Sequence, residues 1–382
     1  MVILIAPDSF KGNMNALDVC GAIEEGILRA DAALKVRKIP LADGGEGTAR
    51  AITAAAGGEF LTARVCGPLG DPVEAQFGLI AGGKTAALDM ASASGIELLA
   101  GRALDPMAAT SYGTGELIKA ALDTQARELI IGIGGSATND GGLGMIQALG
   151  FQALDSQGRP AGQGGQALGR IARIEAGGAD KRLREVTIKV ACDVTNPLLG
   201  GRGASAVFGP QKGATPEMVR VLDAGLAKLA QAWIQAGLAR DVEHPGDGAA
   251  GGAGAALRIC LGAAMESGAG LVMRYSGFFE ALKEADLVIT GEGMTDGQTM
   301  GGKLCSVVAR ECRNAGVPAA LLSGALGGGR AGLLELFDYA VSIACGQTSL
   351  EAMIRDSRQD LCFAAENLIR AITLGKRCGR TR

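Results

Sequence analysis

The apolar residues of this chain come in short runs, and most runs are followed by a longer amphipathic stretch. "VILIA" (2–6) precedes "NALDVCGAIEEGILRA" (15–30), and "LKVRKIPL" precedes "GTARAITAAAG". Short apolar runs read as buried strands, and the 3.6-residue spacing of the stretches between them reads as helices. The pattern returns in "ELIIGIGG" (128–135), "TIKVACDV" (187–194), "ADLVITGEG" (285–293), "AALLSGAL" (319–326) and "YAVSIA" (339–344). Helices are expected over 114–125, 216–237, 303–315 and 349–374, with Asn15 as N-cap of the first helix. Such βα alternation puts helices on the faces of mostly parallel sheets, so the fold class is α/β.

The segment 59–90 breaks the pattern. Its β-rich runs are separated by Gly-Pro and Gly-Asp-Pro turns, which predicts antiparallel hairpins. Strands like the first two return only near 285. The resulting expectation is a discontinuous organisation: residues 1–60 and 280–382 form one α/β domain, and 61–279 form an inserted mixed α/β domain.

Length and charge bound the rest. The chain has 382 residues, about two domains' worth. Hydrophobic residues make up 48% but aromatics only 3%, so the core is built from Ala, Leu, Ile and Val. A formal net charge of -3 gives no basic surface for nucleic acid. No apolar run approaches the roughly 18–20 residues that span a bilayer, and the N-terminus lacks a basic n-region, so a cytoplasmic location is expected. None of the nine cysteines forms a C-x-x-C pair, and His244 is the single histidine. Both facts argue against a disulfide framework, a zinc site or a His-dependent triad.

Chemistry concentrates in polar loops that follow the expected strands: "APDSFKG" (6–12), "ADGGEGT" (42–48), "GSATNDGG" (135–142), "DVTNPLLGGRGA" (193–204) and "GEGMTDGQT" (291–299). Ligands of open parallel sheets bind beyond the carboxyl ends of the strands. Glycine lets backbone N–H groups approach an anion. The loop 132–145 therefore reads as a cradle for phosphate or carboxylate, mobile enough to close, with Ser136, Thr138 and Asn139 as donors. Ser9, Gly44, Gly45, Glu46, Asn196, Glu292 and Gln298 are further binding candidates on such loops. Carboxylates beside such amides suit Mg²⁺ held between protein and nucleotide, with Asp43, Asp140 and Asp296 as metal candidates. Asp8 and Asp193 are candidates for accepting a proton, and Lys11, Lys212 and Lys303 for neutralising phosphate charge. Each loop taken singly has a plainer reading. Lys212 in "GPQKGAT" reads as a solvated turn lysine, Asp8 as an N-cap, and Ser136 or Thr138 as the cap of the helix beyond them. The number of such loops favours a site. Standard Gly-rich nucleotide signatures are absent, which weakens an NAD-dependent dehydrogenase.

The ordered set "APDSFKG", "ADGGEGT", "ALDMASASG" (87–95), "TSYGTGELI" (110–118), "GIGGSATNDGG", "ACDVTNPLLG", "VFGPQKGA" (207–214), "GAAGGAGAAL", "ADLVITGEG", "DGQT" and "GK" resembles the type-1 glycerate kinase family. It extends from residue 6 to 303. The resemblance implies ATP-dependent phosphorylation of D-glycerate with Mg²⁺, and 2-phosphoglycerate as product. It also implies a flavodoxin-like domain from both chain ends and an inserted domain likened to restriction endonucleases. The implied partners are the two small-molecule substrates, and a homodimer is compatible with it. "KGNMNA", the missing basic residue in "GEGMTDGQT" and "GKLCSVVA" depart from the family's commoner forms. A carboxylate- or nucleotide-binding protein of the same fold is the alternative.

Asn replacement at Asp8, Asp43 and Asp193 keeps side-chain size and removes charge. At least one of these variants should lose activity or demand more Mg²⁺ in a magnesium titration. Wild-type activity and Mg²⁺ dependence in all three would contradict the loop reading.

Overall fold

The computed structural model describes residues 1–10, 12–42, 47–296, 303–328, 332–346 and 349–379. Among them the strands are β1 (Val2–Ile5), β2 (Lys35–Lys38), β3 (Glu59–Cys66), β4 (Pro72–Ile80), β5 (Thr85–Asp89), β6 (Glu128–Gly132), β7 (Gln152–Leu154), β8 (Arg173–Glu175), β9 (Thr187–Ala191), β10 (Ala264–Glu266), β11 (Leu287–Thr295), β12 (Ala319–Leu326) and β13 (Tyr339–Ser342). The chain divides into two units, Met1–Asp43 with Ala269–Arg382, and Gly44–Gly268.

The first unit is an all-parallel sheet in the order β2-β1-β11-β12-β13. Counted within the unit this is 2-1-3-4-5, a doubly wound order that reverses between β1 and β11. The register pairs Ile3 with Leu287 and with Val36, so the near-continuous apolar β1 is buried in the middle of the sheet. The Ala16–Ala30 helix starts as expected: Asn15 accepts from Asp18 N at 3.0 Å. It packs against the C-terminal Leu350–Gly379 helix through Ile23, Ile27, Leu361, Ala365 and Leu368. The two ends of the chain thus share one core. Their approach is close at Gly26, where an added Cβ would meet Cys362 O at 2.1 Å.

The second unit holds a mixed sheet in the order β10-β9-β6-β5-β4-β3, and a small β7-β8 ribbon. β3, β4 and β5 are antiparallel, as the Gly-Pro-broken segment predicts, and β5, β6, β9 and β10 are parallel. The boundary expected near residue 60 falls inside this unit. The Thr48–Ala55 helix packs on β4 and β5, close enough that a Cβ at Gly78 would strike Thr53 Oγ1 at 1.7 Å. Ala49 N also donates to both oxygens of Asp89 at 3.1 Å. Sequence pattern assigns that helix to its neighbour in the chain, whereas its partners lie further along. No described helix is long and apolar enough to cross a membrane, and Cys20, Cys66, Cys192, Cys260, Cys312, Cys345 and Cys362 are free thiols.

Gly21 and Gly26 lie in the same helix, but nothing lies within 4 Å of a Cβ added at Gly21. Helix propensity alone favours Ala over Gly by about 1 kcal/mol. Gly21→Ala should therefore raise the urea midpoint. Gly26→Ala should lower it, because overpacking typically costs about 1–3 kcal/mol. Equal effects at the two positions would contradict the close helix–helix approach.

Candidate active site

In the first unit the site candidates gather at the carboxyl end of the sheet, beside the point where strand order reverses. Asp8 lies just past β1, and its N–H donates to Gly291 O of β11 at 2.8 Å. Its Oδ1 accepts from Ser9 N at 2.6 Å and from Ser9 Oγ at 3.3 Å. Glu292 is buried on β11, with Oε1 2.9 Å from Thr295 Oγ1, which also lies 2.9 Å from Ser323 Oγ. Lys303 stands at the N-cap of the Leu304–Ala315 helix, and its Nζ is 4.0 Å from Asp296 Oδ1. A cation at a helix N-terminus is opposed by the helix dipole. The pair of positive ends makes that corner attractive to an anion.

In the second unit the loop 132–145 is cross-braced. Ile96 N donates to Gly135 O and Ala137 N to Ser94 O, both at 2.9 Å, so the loop runs beside the 94–96 segment. Thr138, Asn139 and Asp140 are fully buried. Gly141 and Gly142 have φ of 65° and 72°, and added Cβ atoms would meet Leu229 and Ala256 side chains at 2.6 Å each. The glycines serve conformation and close packing together. On its other side, Gly251 presses on the loop: a Cβ there would reach Thr138 O at 2.1 Å, and Gly251 O accepts from Gly141 N at 3.0 Å.

Lys212 is the largest departure from the plain reading. It is only 2% exposed. Its 3₁₀ turn, Pro210–Lys212, is flanked by Gly209 and Gly213, whose added Cβ atoms would meet Ser205 O at 2.3 Å and Leu104 O at 2.7 Å. The turn is pressed into the protein, and the lysine goes in with it. Lys212 Nζ donates to Ser136 Oγ at 2.9 Å and to Thr138 O at 2.5 Å. An ammonium carries three donors, so these two acceptors leave one unmatched among the described residues. Burial pushes the Lys212 pKa down to about 7, against a smaller opposing pull from Asp140.

Neither Ser136 nor Thr138 caps the Leu143–Ala148 helix, whose N-cap is Gly142 with no side-chain cap bond. Asp140 satisfies the backbone there instead. Its Oδ1 accepts from Gly142 N at 3.1 Å, and its Oδ2 from Gly144 N at 3.2 Å and from Ser111 N and Ser111 Oγ at 2.8 Å. Burial pushes its pKa up, and the Ser111, Gly144 and Gly142 donors pull it back. Every one of these partners donates, so the surroundings suit the ionised form. Protein donors reach both oxygens of Asp140, three at Oδ2 and one at Oδ1. Asn139 Nδ2 donates to buried Ser205 Oγ at 2.9 Å. Thr138 Oγ1 and Asn139 Oδ1 are buried without a hydrogen-bond partner among the described residues.

Asp193 and Asn196 lie on the loop after β9. Asp193 Oδ1 accepts from Ser267 Oγ at 2.9 Å and Gly268 N at 3.0 Å. Asn196 Nδ2 braces its own loop through Arg202 O at 2.8 Å, while Asn196 O accepts from Gly248 N at 3.0 Å. The 246–252 segment therefore joins the Asn196 loop to the Thr138 loop. Arg258 steadies it with two bonds to fully buried Asp247, at 2.8 and 2.7 Å. Sequence reasoning assigns no role to Ser111, Ser205, Asp247 or Arg258. Ser111 does stand in "TSYGTGELI", one of the motifs that carry the family resemblance.

Lys11, Asp43, Gly44, Gly45, Glu46 and Gln298 lie outside the described residues. Among the described residues no three His, Cys, Asp or Glu side chains converge on a metal position.

The profile described as the Glycerate kinase family matches residues 3–373. The chain is 44% identical over 376 residues to a glycerate kinase of Haemophilus influenzae, covering 97% of this chain and 99% of that one. It is 43% identical over 383 residues to glycerate 2-kinase of Escherichia coli K12, covering 99% of each. A crystal structure from Salmonella typhimurium LT2, provisionally described as glycerate kinase 2, superimposes with a TM-score of 0.88 at 43% identity and 99% coverage of both chains.

The buried lysine makes a prediction independent of activity. Below pH 7 Lys212 is charged both folded and unfolded. Between about 7 and its ordinary 10.5 the unfolded chain holds a proton that the folded protein has released. The Lys212 contribution to stability therefore rises with pH across that window. Lys212→Met removes it, so the melting temperature of the variant minus that of wild type should fall steadily from pH 7 to pH 10. A difference independent of pH would contradict the buried, depressed lysine.

Proposed function

We infer what this chain does from a plain premise: it belongs to the glycerate kinase family. It is a phosphotransferase acting on glycerate, with ATP as the implied phosphoryl donor. Residue roles and regiochemistry are proposed on that basis.

In the proposed reaction a glycerate hydroxyl oxygen bonds to the γ-phosphorus as the bond between that phosphorus and its bridging oxygen breaks. ADP departs with the electron pair. The hydroxyl proton passes to a carboxylate, for which Asp8 and Asp193 are the candidates. The acceptor is the 2-hydroxyl, as the name of the E. coli relative supports. Charge spreads over the transferring group in such a step, so the protein's contribution is positioning and electrostatic stabilisation.

The observation that carries this assignment is the buried ammonium of Lys212, which has one more donor than the described residues satisfy. A cation held dry with a donor to spare is suited to a phosphate or carboxylate oxygen. Ser136 Oγ accepts from Lys212, so its own proton is left for the ligand. Thr138 Oγ1 and Asn139 Oδ1 lie nearby in the chain and have no partner among the described residues, which supports a role in recognising the hydroxyls of glycerate. Ser9, Asn196, Glu292 and Lys303, with Lys11, Gly44, Gly45, Glu46 and Gln298, are proposed to line the substrate and nucleotide positions.

Mg²⁺ would arrive with the nucleotide and lower the negative charge of its phosphates. Asp43 and Asp296 remain the carboxylates proposed to hold it, while Asp140 is assigned to structure, since protein donors cover both its oxygens. The 2-1-3-4-5 sheet supports a flavodoxin-like identity for the discontinuous unit, and the mixed sheet supports the endonuclease-like comparison for the inserted one. A cytoplasmic location accords with a metabolite kinase.

The direct test is to supply ATP, Mg²⁺ and D-glycerate, monitor ADP release, and identify the product by NMR. ADP formation that depends on glycerate, with 2-phosphoglycerate as product, is the expected outcome. Lys212→Met should lower kcat/KM by about 100-fold or more while retaining a cooperative melt. Tight glycerate binding without turnover would favour a binding protein, and near-normal kinetics in the variant would return Lys212 to a structural role.

A further inference from the structure

The segment Ser136–Asp140 lies between two buried groups of opposite charge. At one end Lys212 Nζ holds Ser136 Oγ and Thr138 O. At the other, Asp140 gathers Ser111 N, Ser111 Oγ, Gly142 N and Gly144 N. Both charges are almost wholly out of water, at 2% and 0% exposure, and neither forms a direct ion pair with the other. A buried charge without compensation is costly, and it is retained only where other charges or hydrogen bonds offset it.

We propose that Asp140 is a positioning residue for the phosphoryl-transfer lysine: its carboxylate fixes the Ser136–Gly144 backbone and supplies the negative charge that offsets the buried Lys212 ammonium. The proposal rests on the kinase role proposed for Lys212. Three of the four donors to Asp140 are backbone N–H groups, so the side chain sets backbone shape directly. Ser111 ties that shape to the start of the Tyr112–Asp123 helix, and its Oγ also accepts from Met145 N at 3.0 Å. A shift at Asp140 would move Thr138 O, and with it the lysine.

Other charges around Lys212 are few among the described residues. Asp140 is the charged group that acts on it from the loop. On the side where Gly213 abuts Leu104, the neighbouring carboxylate is Asp105, whose Oδ1 is engaged by Met107 N at 2.9 Å and Ala108 N at 3.3 Å. Lys212 cannot hold its proton through Ser136 Oγ and Thr138 O alone against burial, since both are neutral.

The test compares Asp140→Asn with Ser111→Ala through the pH dependence of kcat/KM and through thermal melts. Ser111→Ala removes a donor and keeps the charge. It should lower the melting temperature and leave the alkaline limb of the profile where wild type has it. Asp140→Asn removes the charge. It should move that limb to lower pH by about one unit, the size expected for loss of a nearby opposite charge. A limb unmoved in Asp140→Asn, with only a lower melting temperature, would overturn the proposal. If Asp140→Asn does not fold, the double variant Asp140→Asn/Lys212→Met decides. Recovery of a cooperative melt would show that the lone buried cation was the fault, and failure to recover would overturn the coupling. Absence of glycerate turnover in the wild-type enzyme would instead defeat the kinase reading, and the melts would still report on the charge pair.

Discussion

A lysine ammonium enclosed between one hydroxyl and one carbonyl oxygen is the constraint on which much of the inserted unit depends. Burying it requires the "GPQKG" turn to press inward, which only glycine at 209 and 213 permits without collision. It also requires the Ser136–Thr138 backbone to be held still, because a carbonyl that wanders cannot solvate a charge. The bracing of that loop by Ser94, Ile96, Gly251 and Asp140 meets this need. Local strain accompanies it: Ala250 sits at φ 53° beside Gly251, in a region that residues with a Cβ rarely enter.

The second organising element is the use of sheet ends. In the first unit Asp8 and Glu292 stand at the carboxyl ends of β1 and β11, where the doubly wound order reverses. In the second, the polar loops extend from β6 and β9, two adjacent parallel strands. Each unit by itself thus brings acids, hydroxyls and a lysine to the end where α/β sheets bind ligands. The two sets differ in exposure. Lys303 and Asp296 remain partly open, at 39% and 33% side-chain exposure, whereas Lys212 is shut in.

The fold is largely legible in the sequence because hydrophobic periodicity survives packing. Apolar runs such as "VILIA" and "ELIIGIGG" form strands, and Asn15 caps the helix it is expected to cap. The neighbours of each strand are not legible, since register is decided by residues far away in the chain. The Thr48–Ala55 helix is misplaced by sequence pattern for that reason: its partners, Gly78 and Asp89, come after the hairpin. At the site, residue type and loop position point to Ser136, Thr138, Asn139 and Lys212. The local sequence of Lys212 does not distinguish a solvated turn from a buried one. Asp140 resembles a metal ligand because acids in glycine-rich loops often are. Its chief partner, Ser111, lies 29 residues earlier, in the motif "TSYGTGELI", where nothing in the local sequence pairs it with Asp140.

The central claim is that Lys212 is a dry ammonium kept for an anionic ligand. Site-resolved NMR titration of its side chain, assigned by comparison with Lys212→Met, addresses it without relying on turnover. The account predicts a midpoint near 7 in the free protein and a midpoint raised when glycerate or ATP is bound. A midpoint near the ordinary 10.5, unchanged by either ligand, would contradict it.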